Sequence, residues 1–248
     1  TFTVRLAFDP GASVGVSVIS ADTTVATVNP MVLNFNSANY AAGQTITVTG
    51  VTDNDLANET VNVTASIVAG PSAQVAVTVK DKDVQAIQVT PATQLSVSEG
   101  GTENLSVRLA YQPAANVTVN VASASAAATV GAGTLTFTPD NYATPQTVAV
   151  SGAEDPDLVD ATTTVTLSSA GLTAAVVNVT VVDNDVQNIL ATPASVALVE
   201  GGQNGTFTVR LANAPGGPVA VTVASGSAKV TATPATLNFD ANNYATAQ

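Results

Sequence analysis

The chain of 248 residues contains no cysteine, no histidine and no tryptophan. Without cysteine there is no disulfide framework, no thiol nucleophile and no thiolate metal site. Without histidine the commonest general base and the usual nitrogen ligand for zinc are both missing. Only six residues are basic against eighteen acidic, for a net charge of −12, so duplex nucleic acid and anionic membranes are repelled rather than bound. No apolar run approaches the length of a transmembrane helix, so membrane insertion is not expected. Aromatics are 4% of the chain, too few to furnish a sugar-stacking platform. Long Leu-, Glu- and Lys-rich helical runs are absent as well.

What remains is mainly valine and alanine alternating with threonine, serine and asparagine. Hydrophobic residues make up 46% of the chain, and β-branched side chains suit a pleated, half-buried surface. The pattern also recurs. Val-Arg-Leu surrounds Arg5, Arg108 and Arg210; Asn-Tyr-Ala contains Tyr40, Tyr142 and Tyr244; Leu-x-Phe ends at Phe35, Phe137 and Phe239. The period is 102 residues, give or take one, the length of a sandwich domain and far beyond a solenoid coil. Three repeats follow: 1–83, lacking a first strand; 84–185, complete; and 186–248, ending after its fourth strand. The chain reads as a window on a longer array.

In the complete repeat the alternation predicts strand A over 86–98, broken at Pro91, then B over 104–110, C over 117–123 and D over 134–138. E follows over 146–151, F over 162–168 and G over 174–182. Glycine, proline, asparagine and aspartate punctuate the joins. Seven short strands of this kind predict an all-β, immunoglobulin-like antiparallel sandwich. With A running upward, the A–B, C–D and E–F turns and the end of G share the upper pole.

That pole collects charge. Glu154-Asp155-Pro156-Asp157-Leu158-Val159-Asp160 places four carboxylates in seven residues of a chain that is only 10% charged. A related stretch runs from Asp53 to Glu59, 102 positions earlier. Asp-x-Asp recurs at Asp81/Asp83 and Asp183/Asp185, and Glu-Gly-Gly at Glu99 and Glu200. With Asp22 in the first C–D turn, fourteen of the eighteen carboxylates fall at an upper pole on this assignment. Like charges gathered so closely repel unless a cation offsets them. An all-oxygen donor set suits a hard cation, calcium above all.

Through Val-Ser-Glu-Gly-Gly-Thr before strand B, the acidic E–F loop and Val-Val-Asp-Asn-Asp after strand G, the chain resembles the Calx-beta repeat family over its whole length. The resemblance implies a seven-stranded sandwich with calcium at its tip. Its ligands in the second repeat would be Glu99, Asp155, Asp157, Asp160, Asp183 and Asp185. In the first they would be Asp22, Asp53, Asp55, Glu59, Asp81 and Asp83, and Glu200 opens the set of the third. Two positions depart from the family's pattern: the second repeat has no acid in its C–D turn, and the first has no Glu-Gly-Gly.

No serine or threonine lies in a motif with an activating base, so no enzyme is expected. The leading function is a structural and adhesive module of a secreted or cell-surface protein, stiffened by calcium. Its partners would be calcium, neighbouring repeats and other copies in a filament. The alternative is a carbohydrate- or protein-binding spacer on an extracellular enzyme, and third comes an intracellular calcium sensor. Asn-Tyr reads as a packing plug at the lower pole, and the repeated arginine as an ion pair or a stem laid along the sheet.

Overall fold

Alternation in the sequence is what the backbone follows. The computed structural model describes residues 1–248, with twenty strands and no helix. The first repeat holds β1 (Phe2–Val4), β2 (Val14–Ser20), β3 (Ala26–Asn29), β4 (Val32–Phe35), β5 (Gln44–Gly50), β6 (Glu59–Ile67) and β7 (Ser72–Val79). The second holds β8 (Ile87–Thr90), β9 (Gln94–Ser98), β10 (Thr102–Leu109), β11 (Val117–Ser123), β12 (Ala128–Val130), β13 (Thr134–Phe137), β14 (Gln146–Gly152), β15 (Ala161–Ser168) and β16 (Ala175–Val182). The third holds β17 (Ile189–Thr192), β18 (Thr208–Leu211), β19 (Val219–Thr222) and β20 (Thr236–Phe239).

In the second repeat the two sheets are β12-β14-β10-β8 and β13-β11-β15-β16-β9. Strand A is indeed split around Pro91. Its first half, β8, joins the sheet of β10, and its second half, β9, crosses to the other sheet and runs parallel to β16. Proline has no N–H to donate, so a strand that changes sheets does so there at little cost. β14 pairs antiparallel with β10 and β12, β11 with β13 and β15, and β15 with β16, while the isolated bridge from Glu99 to Gly152 is parallel; together they send β10, β13 and β15 downward and β11, β14 and β16 upward, as the upper-pole assignment requires. One element differs from the sequence reading. Residues 128–130 form β12, which pairs with β14, so this repeat has nine strand segments rather than seven.

Inward rows alternate with outward ones. On β16, Val177, Val179 and Val181 are buried while Asn178 faces out. Phe137, Leu105, Leu167 and Val148 belong to the core, all fully buried. Each fully buried Val, Leu or Phe contributes about 1.5–3 kcal/mol of transfer free energy. The Asn of each Asn-Tyr pair fixes the lower D–E turn. Asn39, Asn141 and Asn243 each accept, through Oδ1, the backbone amide three residues earlier at 2.7 Å.

By contact density the chain divides into two compact units. The first is Thr1–Ala86 with Leu109–Asn116 and Thr138–Ala143; the second is Ile87–Arg108 with Val117–Phe137 and Thr144–Gln248. In the first unit, sheets β1-β5-β3 and β4-β2-β6-β7 enclose a core of Val16, Val18, Leu33, Phe35, Ile46 and Val63. In the second, the sheets of the middle repeat are followed by the pairs β17-β18 and β19-β20 over Val209, Leu211, Leu237 and Phe239. The cut therefore does not fall at the repeat boundary. The lower turns of the middle repeat go with the first unit because hydrogen bonds described below tie them to it.

Gly152 lies against the upper end of β9, bridged to Glu99. A Cβ there would lie 2.6 Å from the Ser98 carbonyl oxygen and 2.9 Å from Val181 Cγ1. At Gly50, its counterpart in the first repeat, a Cβ would meet only the Val79 side chain, with Cγ1 at 2.8 Å. Backbone yields less than a side chain, so Gly152→Ala is expected to cost about 1–3 kcal/mol, in the range of overpacking. Gly50→Ala should cost clearly less. Urea melts of the two variants decide this, and equal losses would show that β9 does not crowd Gly152.

Candidate metal centre

The inward rows of the middle sandwich end in acid at the upper pole. On β9 the inward positions are Leu95 and Val97, and the next is Glu99. On β16 they are Val177, Val179 and Val181, and the next is Asp183. A period of two thus drives carboxylates into the top of a valine core. Glu99 is 4% exposed, and its Oε2 has no hydrogen-bond partner; the Asp183 Oδ2 is likewise buried and unpartnered. Burial pushes the Glu99 carboxyl above its ordinary range, and repulsion from Asp155, Asp183 and Glu154 adds to the shift.

The loop between β14 and β15 is shaped by its own aspartates. Asp155 Oδ1 accepts the amide of Asp157 at 3.0 Å, and Asp157 Oδ1 accepts that of Val159 at 2.8 Å. In the first repeat Asp53 accepts from Asp55 at 3.1 Å and Asp55 from Ala57 at 2.7 Å. At the strand end, Asp183 Oδ1 accepts the Asp185 amide at 2.6 Å, and Asp81 holds Asp83 in the same way. Each of these carboxylates is oriented through Oδ1, which leaves the second oxygen for another partner. Asp81 Oδ2 is also buried without one.

Ligand oxygens of Asp53, Asp55 and Asp81 lie within 4.8 Å of one another. The corresponding Asp155, Asp157 and Asp183 do not converge as tightly, although both Asp155 and Asp183 act on Glu99. Glu59, the first residue of β6, faces the first cluster; burial and then repulsion from Asp53 and Asp55 raise its carboxyl.

The remaining expected ligands have other work. Asp160 Oδ1 accepts the Asp183 amide at 2.9 Å, and in the first repeat Asn58 does the same for Asp81 at 2.8 Å. A neutral side chain serves there, so position 58/160 is a tie between loop and strand, and Asn58 rather than Glu59 is the counterpart of Asp160. Asp22 closes its own turn through the amide and hydroxyl of Thr24, which lower its carboxyl. Asp83 stands beside Tyr111, whose phenol it pushes upward. Asp185 has Asn213 in the corresponding place. Glu200 is exposed in a loop between β17 and β18.

Sequence reasoning passed over Glu154 as a ligand. Gly100 has φ +61°, a conformation natural to glycine, and a Cβ at that position would run into Glu154 Oε1. Glu154 therefore folds over the Glu-Gly-Gly turn. Membership in the densest acidic stretch of the chain was the available signal.

The acidic loops also hold the next repeat, within each unit. In the first unit the Asn54 carbonyl, between Asp53 and Asp55, accepts the Gln112 amide at 2.7 Å. The Gln85 side chain clamps the Tyr111 backbone, donating to its carbonyl at 2.7 Å and accepting its amide at 3.1 Å. In the second unit the Pro156 carbonyl accepts the Ala214 amide at 2.7 Å, and Gln187 clamps Asn213 with the same pair of bonds at 2.7 and 3.1 Å.

No protein-family model matches this chain, and no curated protein does. Among solved structures it is similar to domains 4 and 5 of the S-layer protein SbsC, with a TM-score of 0.36 and 22% identity over 73% of this chain and 80% of that one. It is similar to the D00-D0 domain of Intimin, with a TM-score of 0.32 and 11% identity over 71% and 97%. It is also similar to cadherin domains 1–4 of protocadherin gamma B7, with a TM-score of 0.33 and 12% identity over 91% of this chain and 63% of that one.

Proposed function

We propose that this chain is a non-catalytic, extracellular structural module of the Calx-beta type, whose sandwich repeats bind calcium at their acidic poles. The observation that carries the reading is Glu99: a carboxylate buried at the top of an apolar core, with one oxygen unpartnered and acidic neighbours on the same pole. A buried, uncompensated acid is costly, and a divalent cation is the simplest thing that offsets it. In the second repeat Glu99, Asp155, Asp157 and Asp183 would hold the ion, with Glu154 beside them. In the first repeat Asp53, Asp55 and Asp81 would hold it, with Glu59 close by. Because the Asn54 and Pro156 carbonyls hold the following repeat, an ion that fixes the loop also fixes the joint. Stiffening of tandem repeats is the mechanical role a surface protein would draw from this.

Calorimetric titration of the chelator-treated chain with calcium should give saturable binding in the range of extracellular modules, about 10⁻⁴ to 10⁻³ M. Asp183→Asn should weaken it at least tenfold, whereas Asp22→Asn should leave it unchanged. Equal effects of the two substitutions would refute the assignment of the pole.

A further inference from the structure

Resting on the calcium reading above, we infer that the following repeat sets the affinity of each site: its backbone straps together the two segments that carry the ligands, and Gln187 and Gln85 are the positioning residues that hold the strap.

The ligands of the second repeat come from two places. Asp155 and Asp157 stand on the loop between β14 and β15, and Asp183 and Asp185 on the chain leaving β16. The strand exit also carries Glu99: Asn184 donates to the Glu99 carbonyl at 3.0 Å, and the Glu99 amide donates to the Val182 carbonyl at 3.0 Å. Asp160 ties loop to exit from within the repeat, through the Asp183 amide.

A second tie comes from the next repeat. Residues 212–214, directly after β18, bond to both segments. Ala214 donates to the Pro156 carbonyl at 2.7 Å, between the two loop aspartates. Asn213 is held at its amide and its carbonyl by the side chain of Gln187, two residues beyond Asp185. Ala212 donates to the Asn188 carbonyl at 2.8 Å. Three consecutive residues thus reach the loop at one end and the strand exit at the other. Gln187 is braced for this, since its Oε1 also accepts the Asn188 amide at 3.0 Å.

The first unit builds the same strap. Gln112 donates to the Asn54 carbonyl at 2.7 Å, Gln85 holds Tyr111 at both backbone groups, and Ala110 donates to the Ala86 carbonyl at 3.0 Å. There Gln85 Oε1 accepts the Ala86 amide at 3.1 Å. Tyr111 and Gln112 are replaced by Asn213 and Ala214, so main chain and glutamine carry the strap in both places.

Calcium takes roughly six to eight oxygens, so loop and strand exit must close on it together, against the repulsion of their own acids. A strap that already spans the two segments removes part of that ordering cost. The coupling is reciprocal: the factor by which the strap raises calcium affinity is the factor by which calcium tightens the strap.

The test is calcium titration of the whole chain with the first site silenced by Asp53→Asn and Asp81→Asn. In that background Gln187→Met, which keeps the length of the side chain and loses both bonds, should weaken calcium binding about tenfold. Asn213→Ala should leave the affinity within about twofold, because the clamp holds main chain there. In the unmodified chain, saturating calcium should slow hydrogen exchange of the Ala214 amide about tenfold. The amides of Val148 and Val179, in the core, report whether each variant keeps its fold. Unchanged affinity in folded Gln187→Met would overturn the strap and leave the metal centre standing. So would equal weakening by Asn213→Ala, or an Ala214 amide whose exchange ignores calcium. An unmodified chain that binds no calcium would remove both.

Discussion

Calcium at about tenfold over its Kd is expected to raise the thermal unfolding midpoint of this chain by about 3–6 °C relative to chelator. Binding to the folded form alone adds RT ln(1 + [L]/Kd), about 1.4 kcal/mol at that excess, and in a chain of this size 1 kcal/mol moves the midpoint by about 2–4 °C. The pH dependence follows from Glu99, whose carboxyl is raised by burial and by its acidic neighbours above the ordinary value of 4.5. A raised carboxyl means the fold holds the proton more tightly than the unfolded chain does. Its stabilising contribution is complete below pH 4.5 and is lost as pH rises through the higher folded value. In chelator this contribution therefore declines above pH 4.5. Calcium stands in for the proton and should flatten that decline. Melting curves in calcium and in chelator, recorded across this pH range, are the measurement; superimposable curves would remove the metal centre.

Phe137→Ala should lower the stability of the middle sandwich by about 3–5 kcal/mol, the cost of truncating a buried aromatic in a core that does not collapse to fill the space. Phe137 is fully buried at the end of β13, paired across to Val117 at the start of β11, and so stands next to the lower turns. Glu99 and Asp183 are at the opposite pole. Sites this far apart act additively, so calcium should add the same increment to the variant as to the parent chain. Urea titrations with and without calcium test both statements. A loss below about 1 kcal/mol would mean that the cavity closes. A calcium increment that vanishes with Phe137 would mean that the poles are coupled through the core.

The strands were legible because side chains alternate with a period of two and turns carry glycine, proline and asparagine. β11 matches the sequence reading at both ends, and β16 matches at its C-terminal end. β12 was missed because three residues show too little alternation to be told from a turn. The acidic pole was legible from chain direction alone, since alternating antiparallel strands decide which turns share an end. The division of labour within the pole was not. Composition does not separate a carboxylate that orients a loop, such as Asp22 or Asp160, from one whose oxygen is left free, such as Asp81 or Asp183. The clamps at Gln85 and Gln187 did leave a trace, because Asp-Val-Gln recurs at 83–85 and 185–187. Their partners left none: Tyr111 and Asn213 differ because the glutamine clamp uses only their backbone.

The parallel pairing of β9 with β16 has a mechanical consequence. The middle repeat is entered at its lower pole through β8 and left at its upper pole through β16, and five residue pairs join β9 to β16. Tension applied between entry and exit draws these two strands in opposite directions along their shared axis. All the rungs then carry the load at once, in shear, and none can open ahead of its neighbours as it would if the strands were peeled from one end. The strand that carries Glu99 into the pole is thus also the latch against forced extension, and a sandwich of this design resists pulling at the place where its carboxylates meet.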